Sequence, residues 1–127
     1  MATKLLIIDD NPSITDMLEL VLPSEGFEVT TVNSGPDGVT AVRNLGPDVV
    51  VLDLMMPNVD GWQGCREIRS FSPVPILILS AVVDSDQVAR AMEEGANDYL
   101  VKPARLDELV AHVKKLVEEK NSAKVKN

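Results

Sequence analysis

Val49-Val50-Val51-Leu52-Asp53 is an unbroken aliphatic run that ends on a carboxylate. A run this short, with no polar alternation, reads as a strand covered on both faces, as in a parallel sheet. The same phrase recurs along the chain. Leu5-Leu6-Ile7-Ile8 ends on Asp9-Asp10, Ile76-Leu77-Ile78-Leu79 on Ser80, and Tyr99-Leu100-Val101 on Lys102. Val29 to Val32 alternates partly, through Thr30 and Thr31, and is expected nearer a sheet edge.

Helical patterns fill the gaps. Asn11-Pro12 offers a cap and a first-turn proline, and Ile14, Met17, Leu18, Val21 and Leu22 then share one face. Ser34 opens a second helix that Gly46-Pro47 closes, and Asp60-Gly61 opens a third that stops before Ser72-Pro73. A fourth is expected from about Asp84 to Glu94 with Gly95 as its stop. In the fifth, Leu106, Leu109, Val110, Val113, Leu116 and Val117 form the apolar stripe. Strands alternating with helices predict an α/β fold, a (βα)₅ doubly wound parallel sheet with right-handed crossovers. The segment 1–120 forms the domain, and 121–127 reads as a polar tail or the start of a linker.

Composition narrows the function classes. The 127 residues suit one domain, and 45% hydrophobic with 25% charged residues is a globular balance. A net charge of −8 argues against a nucleic-acid surface. The first apolar run is cut short by Asp9-Asp10, so neither a signal peptide nor a membrane span is expected. The lone Cys65 cannot form an internal disulfide and fits a cytoplasmic protein, reading as a part-buried small hydrophobe.

The polar residues that end the strands carry the functional argument. In open α/β sheets, ligands bind beyond the carboxyl ends of the strands, where strand order reverses. With the common order 2-1-3-4-5, Asp9, Asp10 and Asp53 meet at one crevice, flanked by Ser80 and Lys102. Three close carboxylates need a compensating cation. A hard ion such as Mg²⁺ is the natural partner for oxygen ligands. A phosphoryl group arriving there would meet a metal, an ammonium, a hydroxyl and a carboxylate nucleophile, a set sufficient for phosphoryl transfer. Taken singly, each residue has a plain structural role as a cap or a solvated charge, and periodicity alone leaves metal binding and catalysis both open.

The residues also match a family. The chain resembles the receiver domain of bacterial two-component response regulators over roughly residues 4 to 120, a flavodoxin-like fold. The resemblance rests on Ile7-Ile8-Asp9-Asp10-Asn11, on Val51-Leu52-Asp53-Leu54-Met55-Met56-Pro57 with Asp60-Gly61, on Leu79-Ser80-Ala81, and on Gly95-Ala96-Asn97-Asp98-Tyr99-Leu100-Val101-Lys102-Pro103. It implies that Asp53 accepts phosphate from a histidine kinase, a phosphotransfer protein or a small donor such as acetyl phosphate. It implies Mg²⁺ ligation by Asp10, Asp53 and the backbone carbonyl of Met55, with Asp9 acting mainly through water. Lys102 would bind a phosphoryl oxygen, with Lys102-Pro103 a cis peptide. Ser80 and Tyr99 would switch: the hydroxyl follows the phosphoryl group and the aromatic turns inward. That would alter the face of helix four, strand five and helix five, where a downstream protein or a second copy docks.

Departures from the family pattern are few. Ser80 replaces the commoner threonine, and Gly38 and Gly64 sit inside helices, each costing up to about 1 kcal/mol relative to alanine. His112 reads as a solvated or rim histidine, not a relay residue. Met55-Met56 is not a soft-metal site beside carboxylates. A pseudo-receiver, an interaction module without phosphorylation, is the alternative function. An aspartyl-phosphate hydrolase of the haloacid-dehalogenase type would need an aspartate at position 55, where methionine stands. A stand-alone receiver or phosphorelay intermediate is the direct expectation, and a receiver belonging to a longer regulator the alternative.

Overall fold

Strand by strand, the aliphatic runs become the centre of a five-stranded parallel sheet. The computed structural model describes residues 2–56 and 60–126, with side chains described as far as residue 122. Its elements are β1 (Thr3–Ile8), α1 (Pro12–Val21), β2 (Phe27–Val32), α2 (Gly35–Leu45), β3 (Val49–Leu52), α3 (Gly61–Arg69), β4 (Ile76–Ser80), α4 (Ser85–Glu93), β5 (Asp98–Val101) and α5 (Leu106–Lys126). A 3₁₀ turn, Leu22–Glu25, follows α1. The sheet order is β2-β1-β3-β4-β5, all parallel, so β2 and β5 are the edges.

Strand periodicity of two splits each run between two cores. Leu6, Ile8, Val50, Leu52, Ile76 and Ile78 pack on the face covered by α2, α3 and α4. Leu5, Ile7, Val49, Val51, Leu77 and Leu79 pack on the other, against Leu18 of α1 and Leu109, Val110, Val113 and Leu116 of α5. Each fully buried aliphatic side chain contributes about 1.5–3 kcal/mol, which is why these runs tolerate no polar alternation.

The helix boundaries follow local chemistry. The side chains of Asn11, Ser34, Asp60 and Asp84 each accept a backbone N–H of the first turn of their helix. Gly95 takes φ 115°, a left-handed conformation closed to most side chains, and so ends the α4 unit. Gly38 has a packing reason, because a Cβ there would meet Ile8 Cδ1 at 2.5 Å. Gly64 has none: a Cβ there would meet nothing within 4 Å.

One boundary differs from the sequence expectation. The backbone of 121–126 continues α5 as helix, where the polar, patternless sequence reads as a tail. The helix propagates into these residues because adding a residue to an existing helix is far easier than nucleating one. Pro57, part of the expected motif, lies outside the described residues.

Candidate functional site

The inter-strand ladder runs one residue past the strand ends and fixes the polar residues in register. Asp9 N–H donates to the Val32 carbonyl at 3.1 Å, Asp53 N–H to Ile8 at 3.0 Å, and Lys102 N–H to Ser80 at 2.9 Å. Asp9, Asp53, Ser80 and Lys102 therefore leave the carboxyl edge of the sheet together. Asp9 (2% exposed), Asp53 (6%) and Ser80 (0%) are buried polar groups in an otherwise aliphatic interior.

Each buried group has partners. Lys102 Nζ bridges Asp9 Oδ2 at 2.7 Å and Asp53 Oδ2 at 3.2 Å. Asp53 Oδ1 accepts the Met55 N–H at 3.1 Å, and Asp9 Oδ1 accepts the Asn11 N–H at 3.0 Å. Burial alone would lower the pKa of the Lys102 ammonium. The hydrogen bond to Asp9 and the charges of Asp53 and Asp9 outweigh it, so its pKa stands above the usual lysine value. The Lys102-Pro103 peptide is cis.

Asp9, Asp10 and Asp53 each offer an oxygen within 4.8 Å of the others. Opposite oxygens of a magnesium octahedron lie about 4.2 Å apart, so a small rotation would bring the three into ligand range. Three carboxylates against one ammonium leave a surplus of two negative charges, which is the charge of one divalent cation. The donor set and its charge thus fit a hard divalent ion.

Two further residues support this crevice: Asn33, absent from the sequence reading, and Gly61, named there only as a helix start and motif position. Asn33 donates from its side chain to the Asp9 carbonyl at 2.8 Å and to Thr15 Oγ1 at 3.0 Å, which ties the β2 end and α1 to Asp9. Gly61 lies so close to the Asp53 carbonyl and Leu54 Cα that any Cβ would overlap them. The signal was available for Gly61, a glycine at the first turn directly after an N-cap. Asn33 and Thr15 gave none, since a polar residue after a strand is common.

The proposed switch residues are also in contact. Ser80 Oγ accepts the Val82 N–H at 3.3 Å, and the Tyr99 hydroxyl donates to the Val82 carbonyl at 2.6 Å. Burial raises the Tyr99 pKa, the Ser80 hydroxyl lowers it, and the Asp53 charge raises it, so the phenol is more firmly neutral than usual. Tyr99 packs against the core on the α3–α4 side.

Among the residues singled out in the sequence, His112 has an unforeseen partner. It is half-exposed, and its Nδ1 lies 2.6 Å from Asp98 Oδ2 across β5 and α5. Cys65 is buried, and burial pushes its thiol pKa up to about 11, so it is an unreactive packing group. An apolar cleft of about 470 Å³ opens beside Lys102, lined by Ile14, Met17 and Leu18 of α1 and by Pro103, Leu106 and Leu109.

A parallel doubly wound sheet with a carboxylate cluster and a lysine at its switch point is an arrangement that binds a ligand beyond the strand ends. The family model of the response regulator receiver domain matches residues 5–114, and the chain belongs to that family. It is 45% identical over 114 residues to the DNA-binding response regulator MtrA of Mycolicibacterium smegmatis, covering 90% of this chain and 50% of that protein. The chain thus spans about half the length of the curated relatives it matches. Among solved structures, a two-component response regulator from Clostridium difficile superposes with a TM-score of 0.89 at 27% identity, covering 94% of this chain and 98% of that one. The BeF3-activated N-terminal receiver domain of Klebsiella pneumoniae RstA gives 0.85 at 25% identity, covering 91% and 98%. Among the described residues, no helix is long and apolar enough to cross a membrane.

Proposed function

We propose that this domain is a Mg²⁺-dependent phosphoacceptor whose Asp53 takes a phosphoryl group from a histidine kinase or phosphotransfer protein. The observation that carries this is a nearly buried Asp53 held by Lys102 within a carboxylate cluster two negative charges in excess. The Asp53 carboxylate oxygen attacks phosphorus, the bond from phosphorus to the donor's imidazole nitrogen breaks, and an aspartyl phosphate forms. Lys102 turns from the carboxylates to a phosphoryl oxygen and stabilises the charge that develops there. A bound Mg²⁺, held by Asp10, Asp53 and the Met55 carbonyl with Asp9 acting through water, would supply charge neutralisation and in-line positioning.

The output follows from Ser80 and Tyr99. Ser80 would trade its bond with Val82 for the phosphoryl group, and Tyr99 would turn inward into the space the hydroxyl leaves. The altered surface is α4–β5–α5, which exposes Met92 and Val101 to a downstream protein or a second copy. The domain spans 1–120, and its location is cytoplasmic. Every acidic, hydroxyl and lysine position of the set is filled, so the pseudo-receiver alternative has no observation behind it.

Intact mass after incubation with acetyl phosphate and Mg²⁺ is the test. One phosphoryl adduct that needs the metal and vanishes in Asp53→Asn is expected. No adduct, together with no beryllofluoride binding, would overturn the proposal. Ser80→Ala is expected to accept phosphate yet lose the change in partner binding.

A further inference from the structure

Helix α4 is attached to the rest of the molecule in two different ways at its two ends. Residues 62, 65, 66 and 69 of α3 share one helical face and meet α4 along its length. At the C-terminal end, the Cys65 thiol donates to the Glu94 carbonyl at 3.5 Å, and Arg66 Nε pairs with Glu94 Oε2 at 2.9 Å. Arg69 Nε donates to the Gly95 carbonyl at 2.9 Å, while its remaining N–H groups reach the carbonyls of Ser72 and Val74 and Asn97 Oδ1. Asn97 Oδ1 in turn accepts the Ile76 N–H at 2.9 Å, so this end of α4 is bound to the start of β4.

The N-terminal half meets Trp62 of α3 and, through Val82, residues around the site. The indole N–H of Trp62, which is 8% exposed, donates to the Gln87 carbonyl at 3.0 Å. The Arg90 guanidinium lies 5.0 Å from the centre of the same ring. Trp62 directly follows Gly61, where a Cβ would overlap the Asp53 and Leu54 backbone and whose N–H donates to Leu54 O at 3.0 Å. On the other side, Val82 leads into α4 and is held by Ser80 and Tyr99.

We infer that Trp62 is a positioning residue, a latch that couples the state of Asp53 to the N-terminal half of α4, which pivots about its Glu94–Gly95 anchor. The backbone that carries Asp53 touches Gly61, so a displacement of the β3–α3 junction on phosphorylation moves the indole and its bond to Gln87. The anchor, tied to the amino end of the sheet through Arg69 and Asn97, stays in place. The inference rests on phosphorylation of Asp53 and adds the path by which it reaches α4.

The chain has one tryptophan, hence one indole N–H resonance in a ¹⁵N spectrum. Adding beryllofluoride and Mg²⁺ is expected to shift that resonance and the amides of residues 85–90, with much smaller changes at 94–97. Trp62→Phe keeps a ring but loses the donor. It is expected to take the same phosphate load from acetyl phosphate, while the shift changes at 85–90 fall to less than half. Arg66→Ala, at the anchor, is expected to retain the wild-type shift changes even where it lowers stability, which a purely structural role for the α3–α4 contacts would not allow. Should Trp62→Phe fail to fold, Arg90→Gln tests the same latch from α4. A wild-type response near Asp53 with an unmoved indole, or a Trp62→Phe response equal to wild type, would overturn the latch alone. No response near Asp53 in any protein would overturn the phosphoacceptor as well.

Discussion

The two ends of the sheet are built on opposite principles. At the amino end, Arg69 spends its donors on the carbonyls of Ser72, Val74 and Gly95 and on Asn97, and Gly95 leaves room for it by having no side chain. At the carboxyl end, Asp9, Asp10 and Asp53 crowd together with Lys102 as the one nearby ammonium among the described residues. One end is saturated and the other is left short of positive charge. The contrast shows where stability was kept and where it was given up for a ligand, since a crowded acidic site is stabilised by what it binds.

The comparison can be broken most sharply at the amino end. Arg69→Ala would leave the part-buried carbonyls of Ser72, Val74 and Gly95 without its donors and is expected to lower unfolding free energy by about 3 kcal/mol in urea titration. Phosphorylation per folded molecule should be unchanged. A loss of phosphorylation in the folded fraction would mean that the two ends are not separable.

Alkaline pH tests the same end through Cys65. Its folded pKa is about 11, above that of an exposed thiol, so the unfolded chain loses this proton first. Stability is therefore full below about pH 8.5 and falls as pH rises towards 11, by about 2–3 kcal/mol. Cys65→Ala should flatten that part of the profile. The raised Lys102 pKa adds a loss of the same sign at still higher pH, from the carboxyl end.

At the carboxyl end, Asp10→Asn removes one charge from the cluster. Without metal it is expected to raise the melting temperature, corresponding to about 1 kcal/mol, and to abolish the stabilisation that Mg²⁺ gives the wild type. Destabilisation of the metal-free variant would show that the cluster is not strained by its own charge. The smallest effect is at Gly64, where a methyl group meets open space. Gly64→Ala should stabilise by up to about 1 kcal/mol in the same melts.

The fold was readable because aliphatic runs, N-caps and glycine or proline stops agreed with one another at every step. The site was readable because Asp9, Asp53, Ser80 and Lys102 each stand one residue beyond or at the end of a run, where strand parity leaves no other place for them. Arg69, Asn97 and Trp62 were not readable. The Trp62–Gln87, Arg69–Gly95 and Arg69–Asn97 bonds span 25 to 28 residues, and local periodicity says nothing of which helix faces meet. His112 was expected at the rim and does lie half-exposed there. Its pairing with Asp98 depends on the rotation of α5 over β5, which sequence does not give.

Helix α5 is 21 residues long, about twice the length of any other helix among the described residues. At 1.5 Å per residue it is a rod of about 30 Å whose near end begins just after Lys102 and Pro103. A tilt of about 5° at that end would sweep the far end through roughly 2.5 Å by simple leverage. Such a lever would turn adjustments too small to notice beside the carboxylates into displacements comparable to an atom's diameter at position 126.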